Sequence, residues 1–516
     1  MVRAIALAVV VTKVAAAQQP GPGTTPLADL RPQDATAGSP AERTLRALEL
    51  LAAHPLSIQS DRFSAGRDSL AAAAARSAGA RREPQGIIAW DRPMLRAWVN
   101  TGRSRQDRDG PVWQGRGVTV AANAGVVGSW RWVDVAVRPL AFISQNAAFT
   151  PLPSAPPQGD FRHPAWGELV DLPYRMGSRA YATWDPGESH VRIGNRIVAL
   201  GITTATERWG PADRFPLLMG TEAGGFPRAF VNANDLGVGL GRFQARWLFG
   251  LLETSGYSGL DPDERSAVGS GLAVSFTPRW LTALEIGGGR FFHVRRYPGN
   301  VPWESATWPF SGLVKKSTTA DPTGRANQLA SIFARLAPTG AGVEVYGEFL
   351  REDHNVDFRD IVGEPDHIGA YAIGLKRSWR AGPDVLALTV ERANGRISHL
   401  ERVRPQGPTQ LHGLMLEGHT YRGQPLGNSA VIGGGGIYVA VDRIGARRTQ
   451  YAELEILAGP QSAEGGTWNG TPYGETRLAV GAEPASGRVR LGWEAAVRLG
   501  HGRRGQVNVE LAARVK

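Results

Sequence analysis

From about residue 110 to its end, the chain alternates apolar and polar side chains over segments of roughly ten residues. In VEVYGEFLRED, residues 343–353, glutamates fall at even positions, while valine and phenylalanine fall at odd positions. A β-strand sends alternate side chains to opposite faces, so this segment predicts a strand with one apolar and one acidic face. The apolar face would meet the core of a soluble β-sandwich, or the lipid around a membrane barrel with a polar lumen.

The same alternation recurs in GRFQARWLFG (241–250), LALTVER (386–392), YAELEIL (451–457) and QVNVELAARVK (506–516). A soluble all-β protein of this size would divide into sandwiches with wholly apolar inner faces, and no such break is visible. At roughly 22 residues per strand and connection, the stretch makes about 18 strands, which suits a closed barrel with a lumen. We therefore predict an all-β fold, a transmembrane outer-membrane β-barrel of about 18 antiparallel strands with a small N-terminal helical segment.

The polar faces of these strands carry both glutamate and arginine. The side chains predicted to line the lumen are Glu344, Glu348, Glu391, Glu417, Glu453, Glu455, Arg242, Arg246, Arg490 and Arg498. Buried ions need partners, so such side chains could pair and close the barrel, or they could line a path for permeation.

The N-terminal part divides into three segments before the predicted barrel at 86–516. Residues 1–17 have a basic start, an apolar stretch and an Ala-Ala-Ala site, as in a signal peptide. Residues 18–40 are a Pro/Gly-rich linker. Residues 41–85 predict a small periplasmic helical segment with two helical runs, the second at 69–82. No later segment is apolar enough for a transmembrane helix, so any membrane span must be made of strands.

The composition limits the kinds of site and the classes of partner that the protein can have. The chain has no cysteine, which excludes disulfides, thiolate metal sites and cysteine nucleophiles. Its net charge is +11, but the basic residues are scattered among acidic ones and do not cluster with aromatics. This pattern disfavours nucleic acid and favours an acidic polymer, lipid headgroups or an arginine-rich lumen. We predict no metal and no cofactor.

Several segments resemble the Wzi capsule-assembly family of outer-membrane proteins. In VALGITTATERWGPADRFPLLMGTEAGGFPRAFV (198–231), a strand with a glycine, a Trp-Gly-Pro turn, an apolar stretch and a Phe-Pro step follow in the family's order. DGPVWQGRGVTV (109–120) resembles the opening strand, and VEVYGEFLRED with DHIGAYAIGL (366–375) resembles a later pair. GHTYRGQPLGNS (418–429) is similar to a late strand of the family.

The resemblance implies an 18-stranded outer-membrane barrel with a small periplasmic helical part. It also implies a lectin-like protein that binds surface polysaccharide and supports capsule or exopolysaccharide assembly and attachment, without catalysis. The partners expected are capsular or exopolysaccharide, outer-membrane lipid and the polysaccharide export machinery.

Sugars are bound by aromatic faces, and by arginine and carboxylate side chains that reach their hydroxyls. The residues predicted to bind polysaccharide are Trp209, Asp213, Arg214, Arg228, Arg351, Asp353 and Arg422. A structural alternative is that Trp209 packs against its Gly-Pro turn and Asp213 pairs with a nearby arginine.

Two other functions stay open. A porin-like channel for sugars or small solutes predicts the same strands. An outer-membrane hydrolase would need a nucleophile and a base such as Ser429 and His419 within hydrogen-bond reach, and the chain has no Gly-x-Ser-x-Gly motif.

Overall fold

The computed structural model describes residues 37–38, 40–52, 88–90, 93–104, 108–149, 161–163, 166, 169–195, 197–261, 265–296, 300–311, 326–352, 362–397, 407–413, 415–445, 448–459, 474–484, 492–501 and 507–515. The predicted signal peptide, most of the linker and the second helical run at 69–82 lie outside these residues.

The first eight strands are short, and two consecutive strands lie end to end along the wall. They are β1 (Ile88–Trp90), β2 (Met94–Asn100), β3 (Gly117–Asn123), β4 (Val126–Trp130), β5 (Val133–Val137), β6 (Leu140–Ser144), β7 (Tyr181–Asp185) and β8 (His190–Gly194). β1 pairs with β4, and β2 pairs with β3. On their other edges, β4 pairs with β5 and β3 pairs with β6. β5 and β6 then pair with β8 and β7. Each pair of short strands therefore makes one span of the wall.

The remaining wall strands are mostly longer. They are β9 (Val198–Thr203), β10 (Arg228–Val238), β11 (Gly241–Glu253), β12 (Ser266–Pro278), β13 (Leu284–Arg295), β14 (Ala326–Leu336), β15 (Val343–Glu352), β16 (Gly369–Ala381), β17 (Asp384–Asn394), β20 (Gly435–Ile444), β21 (Arg448–Ala458), β22 (Gly474–Pro484), β23 (Trp493–His501) and β24 (Val507–Val515). Two further strands, β18 (Thr420–Tyr421) and β19 (Gln424–Pro425), form a separate hairpin.

The pairing of the wall strands closes on itself. Neighbouring spans pair antiparallel around the ring, and the last strand, β24, pairs with β2, where Arg514 lies opposite Trp98. The large sheet has 22 strands. If β1 with β2, β3 with β4, β5 with β6 and β7 with β8 are each counted as one span, the described residues make 18 spans. This confirms the predicted outer-membrane β-barrel of about 18 strands.

The two faces of the wall differ as the alternation predicts. On β15, Glu344 and Glu348 are buried on the inner face, while Val345 is 46% exposed on the outer face. The outer face is apolar on the neighbouring strand too, where Ile373 is 52% exposed. Four exposed tryptophans lie near one end of the outer wall, as in an aromatic girdle of membrane barrels. They are Trp130, Trp132, Trp280 and Trp493.

The connections are short at one end of the barrel and long at the other. Short ones include 131–132, 239–240 and 382–383, and we call this the short-turn end. The long-loop end carries the connections 204–227 and 395–434, among others.

One helix, α1 (Pro40–Ala52), lies in the mouth of the barrel at the short-turn end. Leu45 packs with Val385 and Ile444 of the wall in one buried cluster. Arg43 reaches inward-facing carboxylates of β20 and β21, among them Glu453 at 2.6 Å. Apolar and charged contacts therefore hold the helix at this end. No helix in the described part of the chain is long and apolar enough to cross a membrane.

Candidate functional site

Two connections turn inward and fill the lumen. They are residues 204–227, between β9 and β10, and the described part of 407–434, between β17 and β20; we call them together the plug. The segments bond to each other, for example where the Gly220 N–H donates to the Leu426 carbonyl at 2.6 Å. Their apolar side chains join those of the inner wall in one buried cluster. The lumen is packed with protein along the plug.

Local sequence explains why these segments leave the wall. Pro211 and Pro216 have no N–H to give to a strand ladder, and the residues around them do not alternate. Residues 418–429, which resemble a late strand of the Wzi family, form only the β18–β19 hairpin, and this hairpin lies within the plug. The chain there folds on itself because its Arg-Gly pair makes a two-residue turn.

Glu391 on β17 holds the first plug segment by its backbone. Its carboxylate accepts hydrogen bonds from the N–H groups of Asp213, Arg214 and Phe215 at 2.7, 2.8 and 3.1 Å. It also accepts one from the Tyr346 hydroxyl. Successive N–H groups that converge on one point form an anion site, and a wall carboxylate occupies it here. The buried charge and the buried donors satisfy each other.

The Asp213 side chain joins the plug, the helix and the wall. Its carboxylate lies 3.1 Å from Arg46 of α1, 3.0 Å from Arg208 of the plug and 2.9 Å from Lys376 of β16. Burial alone would raise the pKa of Asp213, but Arg46, Lys376 and Arg208 hold this pKa well below its usual range. The ionised carboxylate therefore links α1, the plug and the wall strand β16.

Glu207 is the acidic centre of a second buried cluster. It accepts hydrogen bonds from Arg228 at 2.7 Å and from Arg246 of β11. The indole N–H of Trp209 donates to the same carboxylate at 3.2 Å. Burial opposes ionisation, yet Arg228 and Arg246 lower the pKa of Glu207 to about 2. Two arginines and the indole N–H are thus committed to one plug carboxylate.

Trp209 is 2% exposed and packs inside the plug against glycines of the wall. A Cβ atom at Gly271 of β12 would lie 2.7 Å from its ring, and Gly289 of β13 lies against the same ring. The wall is glycine at these two positions because the indole needs the space. Arg214 likewise faces inward and donates to Glu455 at 2.6 Å. The side chains of Trp209 and Arg214 thus hold the plug in place.

Glu453 on β21 collects cations from three directions. It lies 2.6 Å from Arg43 of α1, 3.1 Å from Arg108 and 3.0 Å from Arg477 of β22. The Tyr438 hydroxyl donates to it at 2.8 Å. This predicted lumen carboxylate is therefore fully engaged in structural pairing.

Other predicted lumen residues lie on the inner wall or in the plug. Glu344 lies 3.2 Å from Arg335 and 3.4 Å from Lys376. Glu348 is buried on β15, and Gly210 of the plug lies against its carboxylate. Glu417 belongs to the plug and not to a wall strand.

The remaining predicted residues differ in how far their side chains are exposed to solvent. Arg242 is half-buried on β11 and Arg498 is buried on β23. Arg351 is buried and donates to the Glu364 carbonyl at 2.9 Å. Asp353 and Arg490 lie outside the described residues. Arg422 has a half-buried side chain, 39% exposed.

His419 and Ser429 belong to separate hydrogen-bond networks. His419 contacts the ring of His293 at 2.6 Å and the Leu218 carbonyl at 2.5 Å. The Ser429 hydroxyl donates to Glu222 at 3.0 Å. In the part of the chain that the structure describes, no group of three or more His, Asp or Glu side chains is arranged to hold a metal ion.

A pocket of about 280 Å³ lies beside the plug at the long-loop end. β7 contributes Tyr181 and Asp185, the end of β11 contributes Glu253, and the β18–β19 hairpin contributes Tyr421 and Gln424. These residues combine aromatic rings with carboxylate and amide groups in a partly enclosed space. Such a lining suits a small polar ligand with an apolar face.

Asp171 fastens the loops around this pocket. Its carboxylate accepts hydrogen bonds from the N–H and hydroxyl of Ser255, each at 2.5 Å, and from the Gly423 N–H at 3.0 Å. Burial raises the pKa of Asp171 to about 6, although these bonds and Arg265 oppose the shift. One carboxylate thus joins three connections that are far apart in sequence.

Sequence reasoning missed most of the pocket. Tyr181 and Asp185 come from β7, Glu253 from β11 and Gln424 from the β18–β19 hairpin, and no local motif unites them. The one available signal was the Arg422-Gly423 pair, because a turn of this kind marks a hairpin. Only the closure of the sheet brings the other side chains to it.

Comparison with known proteins supports the fold. No protein-family model and no curated protein matches the chain. Among solved structures it is similar to Wzi of Escherichia coli, an outer membrane protein involved in group 1 capsule assembly and a carbohydrate-binding β-barrel. The TM-score is 0.60 at 13% identity, covering 93% of this chain and 98% of that one.

Two other solved structures match less well. They are the outer membrane protein OpdK of Pseudomonas aeruginosa (TM-score 0.40, 9% identity, 83% and 97% of the two chains) and a BenF-like porin from Pseudomonas fluorescens (0.41, 7%, 83% and 97%). The similarity to Wzi confirms the predicted resemblance: the chain is a Wzi-like outer-membrane β-barrel.

Replacing Glu391 by glutamine is expected to loosen the plug. The amide nitrogen cannot accept a hydrogen bond, so at least one N–H among Asp213, Arg214 and Phe215 loses its acceptor, at about 1–3 kcal/mol each. We expect a lower free energy of unfolding and trypsin cleavage after Arg214 in the folded protein, detected by mass spectrometry. Arg392→Gln, on the exposed face of the same strand, is the control. Equal protease resistance of both variants would contradict the anchoring role of Glu391.

A second prediction concerns Glu222, which is buried in the plug. It accepts hydrogen bonds from Asn428 at 2.5 Å and Ser429 at 3.0 Å. Burial raises the pKa of Glu222 to about 7; Arg214 opposes this shift and Glu455 adds to it. Since the folded-state pKa exceeds the unfolded one, the protonated form stabilises the fold at low pH, and this stability is lost as pH rises toward 7.

Glu222→Gln should remove this pH dependence. We expect the free energy of unfolding of the wild type, relative to the variant, to fall by up to about 1.4 kcal/mol per pH unit between about pH 4.5 and 7. Chemical denaturation of both proteins in detergent across this range measures the difference. A difference that stays constant with pH would show that Glu222 does not titrate in this window.

Proposed function

We propose that the protein binds surface polysaccharide in a lectin-like manner and supports capsule or exopolysaccharide assembly and attachment at the cell surface, without catalysis. The observation that carries this proposal is the filled lumen: the plug is bonded to the wall through Glu391, Glu455 and Glu207. A barrel filled in this way suits a binding protein better than a conduit. The Wzi-like fold supports the same function.

The alternative is a porin-like channel for sugars or small solutes. Conduction would require the plug to move, and each buried carboxylate would then lose its partners. Breaking a buried ion pair costs about 3–5 kcal/mol, and the plug has several such pairs. The binding function needs no such movement, which is why we favour it.

The placement of the protein in the membrane follows from its two ends. Outer-membrane barrels have short periplasmic turns and longer extracellular loops. We therefore propose that the short-turn end and α1 face the periplasm, where export machinery could contact them, and that the long-loop end faces outward. The signal peptide at 1–17, the linker at 18–40, the helical segment at 41–85 and the barrel at 86–516 remain part of this proposal.

A hydrolase is the less favoured third function. The pKa of His419 is lowered by burial to about 4, and its ring contacts His293 and a backbone carbonyl. Ser429 donates to Glu222. Neither contact prepares a serine nucleophile with a base beside it.

Polysaccharide binding and ion conductance of the detergent-folded, full-length protein test the proposal together. We expect saturable binding to capsular polysaccharide or exopolysaccharide from its own host, and no large stable conductance in planar bilayers. Dextran, an uncharged polymer, is the control for non-specific binding. Large stable conductance without polysaccharide binding would overturn the proposal in favour of the porin-like channel.

A further inference from the structure

The pocket lies at a break in the barrel wall. β7 pairs with β6 over Tyr181–Asp185, and its other edge has no pairing among the described residues. β9 would continue the ladder there, but it ends at Thr203, where the chain turns inward to the plug. β10 begins only at Arg228, opposite Gly250, so the last three residues of β11 pair with no residue of β10. A gap between β7 and β11 results, and the pocket lies behind it.

One side chain bridges this gap. The Arg422 guanidinium lies 3.0 Å from Glu253 of β11 and 3.4 Å from Asp185 of β7. Arg422 and Gly423 form the turn of the β18–β19 hairpin with φ angles of 49° and 80°. Asn, Asp or Gly normally takes the first position of such a turn, because other residues are strained there. An arginine at this strained position indicates a role for the guanidinium in the gap.

The charged side chains at the gap indicate that it opens near a membrane interface. The Glu253 and Arg422 side chains are 58% and 39% exposed. Charged side chains on the outside of a barrel are destabilising at the bilayer midplane and tolerated near its interfaces. Trp184, which lines the pocket and is 68% exposed, is a residue type enriched at that level.

Gln424 gives an independent indication of a ligand. It lines the pocket, is 4% exposed, and its Oε1 has no hydrogen-bond partner among the described residues. A buried acceptor without a partner is destabilising, so its presence calls for an explanation. A ligand hydroxyl would satisfy it if the amide turned toward the pocket.

The lining around Gln424 suits a sugar. Tyr181 and Tyr421 contribute aromatic rings to the lining, and Asp185 contributes a carboxylate. Aromatic rings bind the apolar face of a pyranose, while amide and carboxylate oxygens accept bonds from its hydroxyls. The volume of about 280 Å³ is just below the usual range of ligand pockets, which leaves room for one ring and not for a length of chain.

We propose that this pocket binds a single sugar ring of a surface glycan, which enters sideways through the gap between β7 and β11. The inference rests on the proposed function and supplies its binding site. Trp184 contacts the sugar at the mouth, and Gln424 accepts one of its hydroxyls. Arg422 exchanges part of its contact with Asp185 or Glu253 for the ligand.

The same sugar chemistry can come from two sources. A lipid-free polysaccharide would offer a ring within its chain, and a glycolipid of the same membrane would offer one at headgroup level. An opening at that level favours the glycolipid. The probes are therefore lipopolysaccharide from the host strain and the lipid-free saccharide released from it by mild acid.

Calorimetric titration of the full-length protein in detergent tests the site with three variants. Gln424→Leu should bind about tenfold more weakly through the loss of one hydrogen bond. Its melting temperature should stay equal or rise, because an unpaired buried acceptor is removed. Trp184→Ala should bind about fivefold more weakly. Trp280→Ala, equally exposed at the short-turn end, should bind like the wild type.

The outcomes separate this inference from the proposed function. Wild-type binding that neither Gln424→Leu nor Trp184→Ala weakens would overturn the pocket and leave the polysaccharide-binding function standing. Binding of neither probe, nor of capsular or exopolysaccharide, would overturn both. Weaker binding in both pocket variants supports the site; tighter binding of lipopolysaccharide than of its lipid-free saccharide identifies the membrane as the source.

Discussion

The structure depends on the pairing of carboxylates that the barrel wall turns inward. An ionised carboxylate away from water is costly unless charges or hydrogen-bond donors surround it. Glu391 takes three backbone N–H groups of the plug, Glu455 takes Arg214, and Glu453 takes Arg43 of the helix. The wall thus carries carboxylates whose partners lie in the plug and in α1, and the plug carboxylates Asp213 and Glu207 pair in turn with Lys376 and Arg246 of the wall. Wall, plug and helix become one unit because none of them satisfies its buried charges alone.

This constraint shapes what the protein can do. A lumen held by interlocking buried pairs leaves ligand recognition to the surface and to spaces beside the plug. The plug segment 204–227 leaves the wall between β9 and β10, so the lumen is filled at the cost of a gap in the sheet. The pocket with Gln424 and Arg422 forms at that gap. Because residues 204–227 turn into the lumen, they both fill it and leave the gap through which the pocket is reached from the side.

Period-two alternation was sufficient to predict the barrel, its strand number and the inner position of residues such as Glu344, because side-chain alternation is a local property of a strand. The plug was not predictable in the same way. Trp209, Asp213 and Arg214 have the residue types of a sugar site, and nothing local distinguishes an exposed turn from one folded into the lumen. Their partners, among them Glu391, are distant in sequence, so only the closed ring of strands identifies them. The pocket, built from strands and connections that are far apart in sequence, was missed for the same reason.

The central claim is that a plug anchored on wall carboxylates fills the lumen. Hydrogen–deuterium exchange of the wild-type protein, read by mass spectrometry, tests it most directly at residues 213–223. These residues include the N–H groups bound to Glu391 and those that donate to the second plug segment. We predict protection comparable to that of wall strands such as β16. Exchange within seconds, as in an open loop, would contradict it.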